Sequence, residues 1–306
     1  MPHRRDSTFS DASSTLTNLP DTFYELEEDG RRYCCDVEAK HCHPLPSDER
    51  EEGRLLVQRQ LCFQALGDRP ILAPIHATPQ NILDIGTRFG SWAISIAQQY
   101  PSAAVIGMDL VPIQPEYVPI NCEFQIHDAE RLWNFTTPFN LIHLGFADTW
   151  VRDWPEVARQ TFEALEPGGW IELKFDLPWE YNESTRHHTA IVQYHRDLLM
   201  GARAWGVTLD QGGAFYQQLL NDAGFVNFQE QKFYLDSAKA RILYQEEGLD
   251  TFGKGYICRG LGKGAAELQV QLITIRDALQ DPTLEIRFPV SICYAQKPFQ
   301  KNVGYF

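Results

Sequence analysis

Between residues 81 and 177 the chain alternates short apolar runs with amphipathic stretches, and this alternation restricts the fold more than any other feature. "NILDIG" (81–86), "AAVIGMDL" (103–110), "CEFQIHDAE" (122–130), "FNLIHLGFA" (139–147) and "WIELKFDL" (170–177) each have the length and apolar content of a buried strand. "SWAISIAQQYP" between the first two reads as a helix stopped at Pro101, and "WPEVARQTFEALEPGG" (154–169) as a helix turned by Gly168 and Gly169. Strand and helix in repeated succession with short links predict an α/β chain with a doubly wound parallel sheet.

Other segments attach to that sheet. Residues 1–20 are rich in Ser, Thr and Asp and are predicted to be a disordered tail. Residues 21–80 are predicted to form an amino-terminal arm with helices. Within it, "FYELEEDGRRY" (23–33) carries a "DG" turn suited to a short hairpin, and "PSDEREEGRLLVQRQLCFQAL" (46–66) an amphipathic helix with acids in its first turn. Arg59 interrupts the apolar stripe of that helix. Residues 81–306 make the main domain. A helical insertion at about 183–283 is expected to serve as a lid; a helix at 214–225 and an edge strand at 226–235 are expected within that span. A last strand is expected within 285–298.

In a sheet of this kind ligands bind beyond the carboxyl ends of the strands, where strand order reverses. The first strand-to-helix turn must bring backbone close to the ligand, which glycine permits. Gly86 and Gly90 stand in that turn, with Asp84 just before it. Asp109, followed by Leu110 at the end of the second strand, is placed to accept two ribose hydroxyls. Asp128, Ala129 and Glu130 follow the third strand, where a carboxylate can accept from an adenine amine. Loop, acid and acid in this order make a nucleoside-type pocket far more specific than a lone Gly-x-x-x-Gly.

"NILDIGTRFGSWAISIAQQYPSAAVIGMDLVPIQPEYVPINCEFQIHDAE" resembles the class I S-adenosylmethionine-dependent methyltransferases, and more narrowly the fungal LaeA-like group found around secondary-metabolite genes. "GRRY" (30–33), "PLPSDEREEGRL" (44–55), "EALEPGGWIEL" (163–173) and "FPVSICYAQKP" (288–298) are similar to further blocks of that group, so the resemblance covers residues 22–298. It implies a Rossmann-like methyltransferase sheet with helical lid insertions, and S-adenosylmethionine or S-adenosylhomocysteine as the bound cofactor. By the resemblance Gly86 and Gly90 line its methionine side, Asp109 its ribose and Asp128, Ala129 and Glu130 its adenine. Asp84 fixes the loop from below, and Tyr33 and Arg50 are lid contacts.

Two departures from the group fall at strand ends. The group reads Gly-Thr-Gly-Thr-Gly in the loop; here Arg88 replaces the central glycine and Phe89 follows it. Arg88 has four readings: it pairs with the cofactor carboxylate, repels the sulfonium, fills the site, or lies harmlessly at the loop edge where φ stays negative. The fourth strand runs on as "LIHLGFADTW", apolar and aromatic where the group carries a polar or basic residue. That places Phe146 and Trp150 as walls of a substrate pocket.

His143, Asp148, His187 and His188 are the candidate proton acceptors, although His143 sits in a strand pattern that also suits a core histidine. Trp179 and Tyr181, after the fifth strand, are candidate substrate walls. No metal site is expected, because "YCCDVEAKHCHP" lacks the paired gaps of a zinc site, and "RGLGKGAAE" (259–267) reads as a helix connector. Seven irregularly spaced cysteines do not form a disulfide framework. The net charge of −14 disfavours nucleic acid and anionic membrane, and no apolar run reads as a signal peptide or membrane span. The chain is expected in the cytoplasm, with the nucleus compatible.

Three functions compete. The first is methyl transfer to a small hydrophobic secondary metabolite. The second is an enzyme on the same fold that shapes a substrate for cyclisation, of pericyclic or Diels–Alder type, for which Arg88 and the apolar fourth strand are the motive. The third is a non-catalytic regulator of secondary metabolism.

Overall fold

The computed structural model describes residues 23–36, 41–183, 189–281 and 284–299. The tail expected at 1–20 and the candidates His187 and His188 lie outside the described residues.

The arm begins with a hairpin of β1 (Phe23–Glu28) and β2 (Arg31–Asp36), to which β3 (His41–Cys42) adds. Asp29 and Gly30 both take positive φ, 52° and 70°, as a two-residue hairpin turn with the strand's own twist requires. Cys35 faces Cys42 in the register and is disulfide-bonded. Helix α1 (Glu49–Ala65) follows, capped by the Asp48 carboxylate on the Glu51 N–H.

The main sheet contains β4 (Asn81–Ile85), β5 (Ala104–Asp109), β6 (Cys122–Ile126), β7 (Phe139–Gly145), β8 (Leu165–Asp176), β10 (Val226–Tyr234) and β12 (Pro289–Gln296), in the order β10-β12-β8-β7-β4-β5-β6. The run from β8 to β6 is parallel, and β12 is antiparallel to both neighbours. The chain runs outward from β4 through β5 to β6, then returns to β7 on the other side of β4. The reversal point lies at the carboxyl ends of β4 and β7. The small strands β9 (Glu180–Tyr181) and β11 (Ile286–Arg287) pair separately.

Both faces of the sheet are covered. Leu83, Ile85, Ile142 and Leu144 pack with α3 (Trp154–Ala164) and α5 (Gly213–Asp222). Ile82, Val105 and Leu141 pack with α2 (Ser91–Gln99). Strand alternation therefore sends His143 to the α2 face, the face of Leu141. In β8 it sends Ile171, Leu173 and Phe175 to the α3 face and leaves Glu172, Lys174 and Asp176 on the other.

The helical insertion is divided. One part is α4 (Thr189–Trp205). The other is a helical run over 237–261, with π-helical stretches at Tyr244–Gly248 and Gly253–Cys258, followed by a helix at Ala265–Leu279. Between the parts, α5 packs against the main sheet and β10 forms its edge, so the lid expected over 183–283 is interrupted there. The helix predicted over 154–169 ends at Ala164, because Pro167 and the glycine pair join β8 instead.

Buried charge ties arm to lid. The Arg31 guanidinium, inaccessible to solvent, meets the Asp48 carboxylate at 2.7 Å, Asp250 at 3.5 Å and the Thr251 hydroxyl at 3.0 Å. Arg54 pairs with Glu51 at 2.8 Å, and Lys254 with Asp250 at 3.0 Å. Among the described residues no helix is long and apolar enough to cross a membrane.

Candidate active site

The loop after β4 is held by its backbone and by two carboxylates. Gly86 and Thr87 both donate their N–H to the Met108 carbonyl of β5. The Thr87 hydroxyl donates to Asp84 Oδ2 at 2.7 Å, and Asp84 Oδ1 lies 2.8 Å from His143 Nδ1. Asp109 Oδ2 accepts the Arg88 N–H at 2.7 Å and Oδ1 accepts the Val111 N–H at 2.9 Å. Burial raises the Asp109 carboxyl above its usual range, with the Arg88 charge opposing. Each Asp109 oxygen keeps a further lone pair for a ligand hydroxyl.

Gly86 has φ 70°, and a Cβ there would stand 2.7 Å from the Trp150 indole; Gly90 has φ 76°, and a Cβ there would stand 2.2 Å from the Phe124 ring. Both positions require glycine for conformation and for space.

Arg88 does not have the negative φ that a harmless loop-edge residue would need. Its φ is 52°, held by the Asp109 carboxylate on its N–H and by the Gln114 amide on its carbonyl at 2.6 Å. Nor does the guanidinium fill the cofactor groove. It donates to the Pro46 carbonyl at 2.6 Å and lies 3.4 Å from His43 Nδ1, so it ties the loop to the arm. Burial, then the charge of Arg88, lowers the His43 pKa well below its usual range and keeps that ring neutral.

Two cavities meet at Gly86. The first holds Asp109, Leu110, Asp128 and Ala129 and is roofed by His43 and Pro44 of the arm. Glu130 borders it too, but its Oε1 accepts the N–H groups of Arg152 and Asp153 at 2.6 and 2.7 Å. That carboxylate oxygen is committed to backbone, and Asp128 is engaged as well, its Oδ1 accepting the Glu130 N–H at 2.9 Å and its Oδ2 lying 3.5 Å from Arg131 Nε. Trp150, expected on the substrate side, borders this cavity, a correction imposed by the turn at Ala147–Thr149 that swings its ring over Gly86.

The second cavity lies between α1 and the ends of β4, β7 and β8. It is bordered by Asp84, Arg88, His143, Phe146, Arg59 and Lys174. His143 is stacked on Trp92 at 3.8 Å, and its Nε2 has no hydrogen-bond partner among the described residues. It is thus both a packed histidine and an acceptor facing the site. Phe146 has φ 56° and packs against the aromatic cluster of the lid. Strain of this kind in a non-glycine residue is usual at ligand sites.

A third cavity lies under the lid, bordered by Asp148, Asp176, Trp179, His195, Tyr244 and Phe252 among others. Asp148 is 4% exposed, and burial raises its carboxyl well above the usual range, with Asp176 adding to the effect. Trp179 stands edge-on to Tyr244 and Phe288, at 4.9 and 5.2 Å. Tyr181 does not border this cavity. Its hydroxyl meets His195 Nδ1 at 3.0 Å, so it supports a wall rather than forming one; the β9–β11 pairing directs it there.

Arg59, Lys174, Asp176 and His195 were not singled out as site residues from sequence. A signal existed for two of them: polar Lys174 and Asp176 alternate with apolar residues in a central strand that must be covered on both faces. Tyr33 and Arg50 do meet the lid, Tyr33 under the Arg259 guanidinium at 4.4 Å and Arg50 against Glu247 at 3.0 Å, but neither borders a cofactor cavity.

A profile of the family described as "Methyltransferase domain" matches residues 57–230. Methyltransferase pytC of Aspergillus terreus is 28% identical over 96% of this chain and 95% of its own. Secondary metabolism regulator laeA of Monascus pilosus is 36% identical over 74% of this chain and 62% of its own. Protein-methionine methyltransferase laeA of Emericella nidulans is 32% identical over 67% and 55%. The chain belongs to the methyltransferase-domain family, among the fungal class I S-adenosylmethionine-dependent methyltransferases.

Proposed function

We propose that this chain transfers the methyl group of S-adenosylmethionine to a small hydrophobic metabolite bound beneath the lid. The observation that carries the reading is the joint placement of Gly86, Asp109 and Asp128 at one cavity, with the Arg88 guanidinium held outside it on the Pro46 carbonyl. When bound, the sulfonium supplies an electrophilic methyl carbon. Asp109 holds the ribose hydroxyls and Asp128 the adenine amine, with Leu110 and Ala129 as apolar contacts. The adenosyl cavity and the β7-end cavity share only Gly86, and the Trp150 ring lies over it. The indole must therefore turn aside for one ligand to span both.

His143 Nε2 and Asp148 Oδ1 are two buried acceptors with no partner among the described residues, one on each side of Phe146. A nucleophile that carries a proton can deliver it to either. Phe146, Trp179 and the lid helices exclude water, which preserves the field of these groups. The motive for a cyclase weakens once Arg88 is seen tied to the arm. The match to methyltransferase pytC over nearly the full length of both chains supports methyl transfer over a purely regulatory role. The cytoplasm is the compartment this reading favours.

Calorimetric titration with S-adenosylmethionine and S-adenosylhomocysteine tests the reading, followed by transfer of a labelled methyl group to metabolite extracts. Micromolar binding and labelled product are the expected results. Absence of binding by the wild type would remove the reading.

A further inference from the structure

The cavity under the lid has an unusual charge pattern. Among the described residues its wall includes two carboxyl groups, Asp148 and Asp176, and no lysine or arginine. Asp148 Oδ1 is buried and has no hydrogen-bond partner among the described residues. Asp176 Oδ2 accepts only the Gln58 amide, at 3.1 Å, among the hydrogen bonds to its side chain described. Arg54, whose charge opposes the upward shift of Asp176, is paired elsewhere, to Glu51 at 2.8 Å through two nitrogens and to Gln58 at 2.9 Å, with its guanidinium over the Phe252 ring at 5.0 Å. His195 does not supply the missing charge, because burial lowers its pKa and its Nδ1 is engaged by Tyr181. Burying acids without a counter-charge is costly, and a buried polar atom left unpaired calls for an explanation.

The other walls identify the counter-charge. Trp179, stacked on His195 by one face, and Tyr244, stacked on Phe288 by one face, border it with Phe252, whose ring already carries the Arg54 guanidinium, and Leu198 and Leu209 close the remainder. Aromatic faces attract an organic cation, most strongly where water is excluded. A metal ion is disfavoured, since no group of three or more metal-ligating side chains exists among the described residues.

We propose that the lid cavity binds a substrate through a protonated amine, with Asp148 and Asp176 as its anionic receptors and Trp179 and Tyr244 as its aromatic walls. This rests on the methyl-transfer reading and narrows its substrate to a hydrophobic metabolite with a basic nitrogen. Asp148 follows β7 by one turn and Asp176 ends β8, so the ammonium sits at the strand ends that flank the cofactor groove. Specificity then comes from a buried unmatched charge, which a neutral isostere cannot satisfy.

The test uses the full chain loaded with S-adenosylhomocysteine and three probes of one shape: phenethylamine, phenethyl alcohol and phenylacetate. Calorimetry near neutral pH should show phenethylamine bound at least about tenfold tighter than the alcohol, with no binding of phenylacetate. Asp148→Asn should abolish the preference for the amine while leaving S-adenosylhomocysteine affinity close to wild type and the melting temperature no lower than wild type. If that variant does not fold, Asp176→Asn and the wild-type ratio of amine to alcohol decide. Equal binding of alcohol and amine overturns the proposal. So does a preference that survives in both variants, or no amine binding up to about 1 mM. Each of these leaves cofactor binding intact, whereas loss of S-adenosylhomocysteine binding by the wild type would strike at methyl transfer itself.

Discussion

The two halves of the site are built on opposite terms. On the cofactor side the acids are satisfied within the chain: Asp84 by Thr87 and His143, Asp109 by two backbone N–H groups, Glu130 by two more. On the lid side Asp148 is buried and Asp176 half-buried, with one described side-chain partner between them. The first half is a preformed cradle, whose polar groups gain little by rearranging when the ligand enters. The second stores an electrostatic debt that only an incoming group can discharge. Rigidity serves a cofactor common to a whole family, and unmet charge serves discrimination among substrates.

The contact between the halves is where the largest effect is expected. Arg31→Ala leaves Asp48 buried without its cationic partner and Asp250 with Lys254 alone, and should cost about 3–5 kcal/mol, read as a fall in the chemical denaturation midpoint. A cost below about 1 kcal/mol would mean that arm and lid are joined by apolar packing alone.

Asp109→Ala tests the preformed side. It removes the acceptor of the Arg88 and Val111 N–H groups as well as the ribose contact. Affinity for S-adenosylhomocysteine should fall about a hundredfold, near 3 kcal/mol. Unchanged affinity would show that the cradle is not the cofactor site.

Asp176 distinguishes the other side by pH. Burial raises its carboxyl from 3.8 to about 6, so in this interval the folded chain holds a proton that the unfolded chain has released. Stability should therefore fall as pH rises through the interval and level off above it. Asp176→Asn should flatten that part of the profile and melt higher than wild type at neutral pH. An unchanged profile would show that the charge is already compensated.

The smallest effect is expected for Arg88→Gly. Glycine relieves a left-handed φ worth about 1 kcal/mol, and loss of the bond to the Pro46 carbonyl offsets a similar amount. Cofactor affinity should change less than tenfold. A large gain would mean that Arg88 enters the groove in solution. Trp150 offers a direct optical check: its fluorescence should change on cofactor binding, and that change should disappear in Trp150→Phe.

The fold was legible because its rules are local. Apolar runs such as Asn81–Ile85 and Phe139–Gly145, with turns between them, allow little besides a covered parallel sheet. The cofactor acids were legible for the same reason, since Asp84, Asp109 and Asp128 each end or follow a strand, and strand ends converge in this sheet. The hairpin at Asp29-Gly30 and the start of α1 near Asp48 were also readable from short-range chemistry.

What the sequence determined by itself was thus the sheet, the glycine loop and the three acids around it, because backbone geometry translates residue order directly into position there. Tertiary structure alone decided where long side chains end and what they meet. Arg88 could reach several targets from one Cα, and only the arm beside it settled on the Pro46 carbonyl. Glu130 turned to backbone, Trp150 to the cofactor side and Tyr181 to His195 for the same reason. The lid cavity gathers Asp148, Asp176, His195 and Phe252 from across a hundred residues of chain. No local spacing encodes such a meeting, because it follows from how helices pack over a sheet already formed.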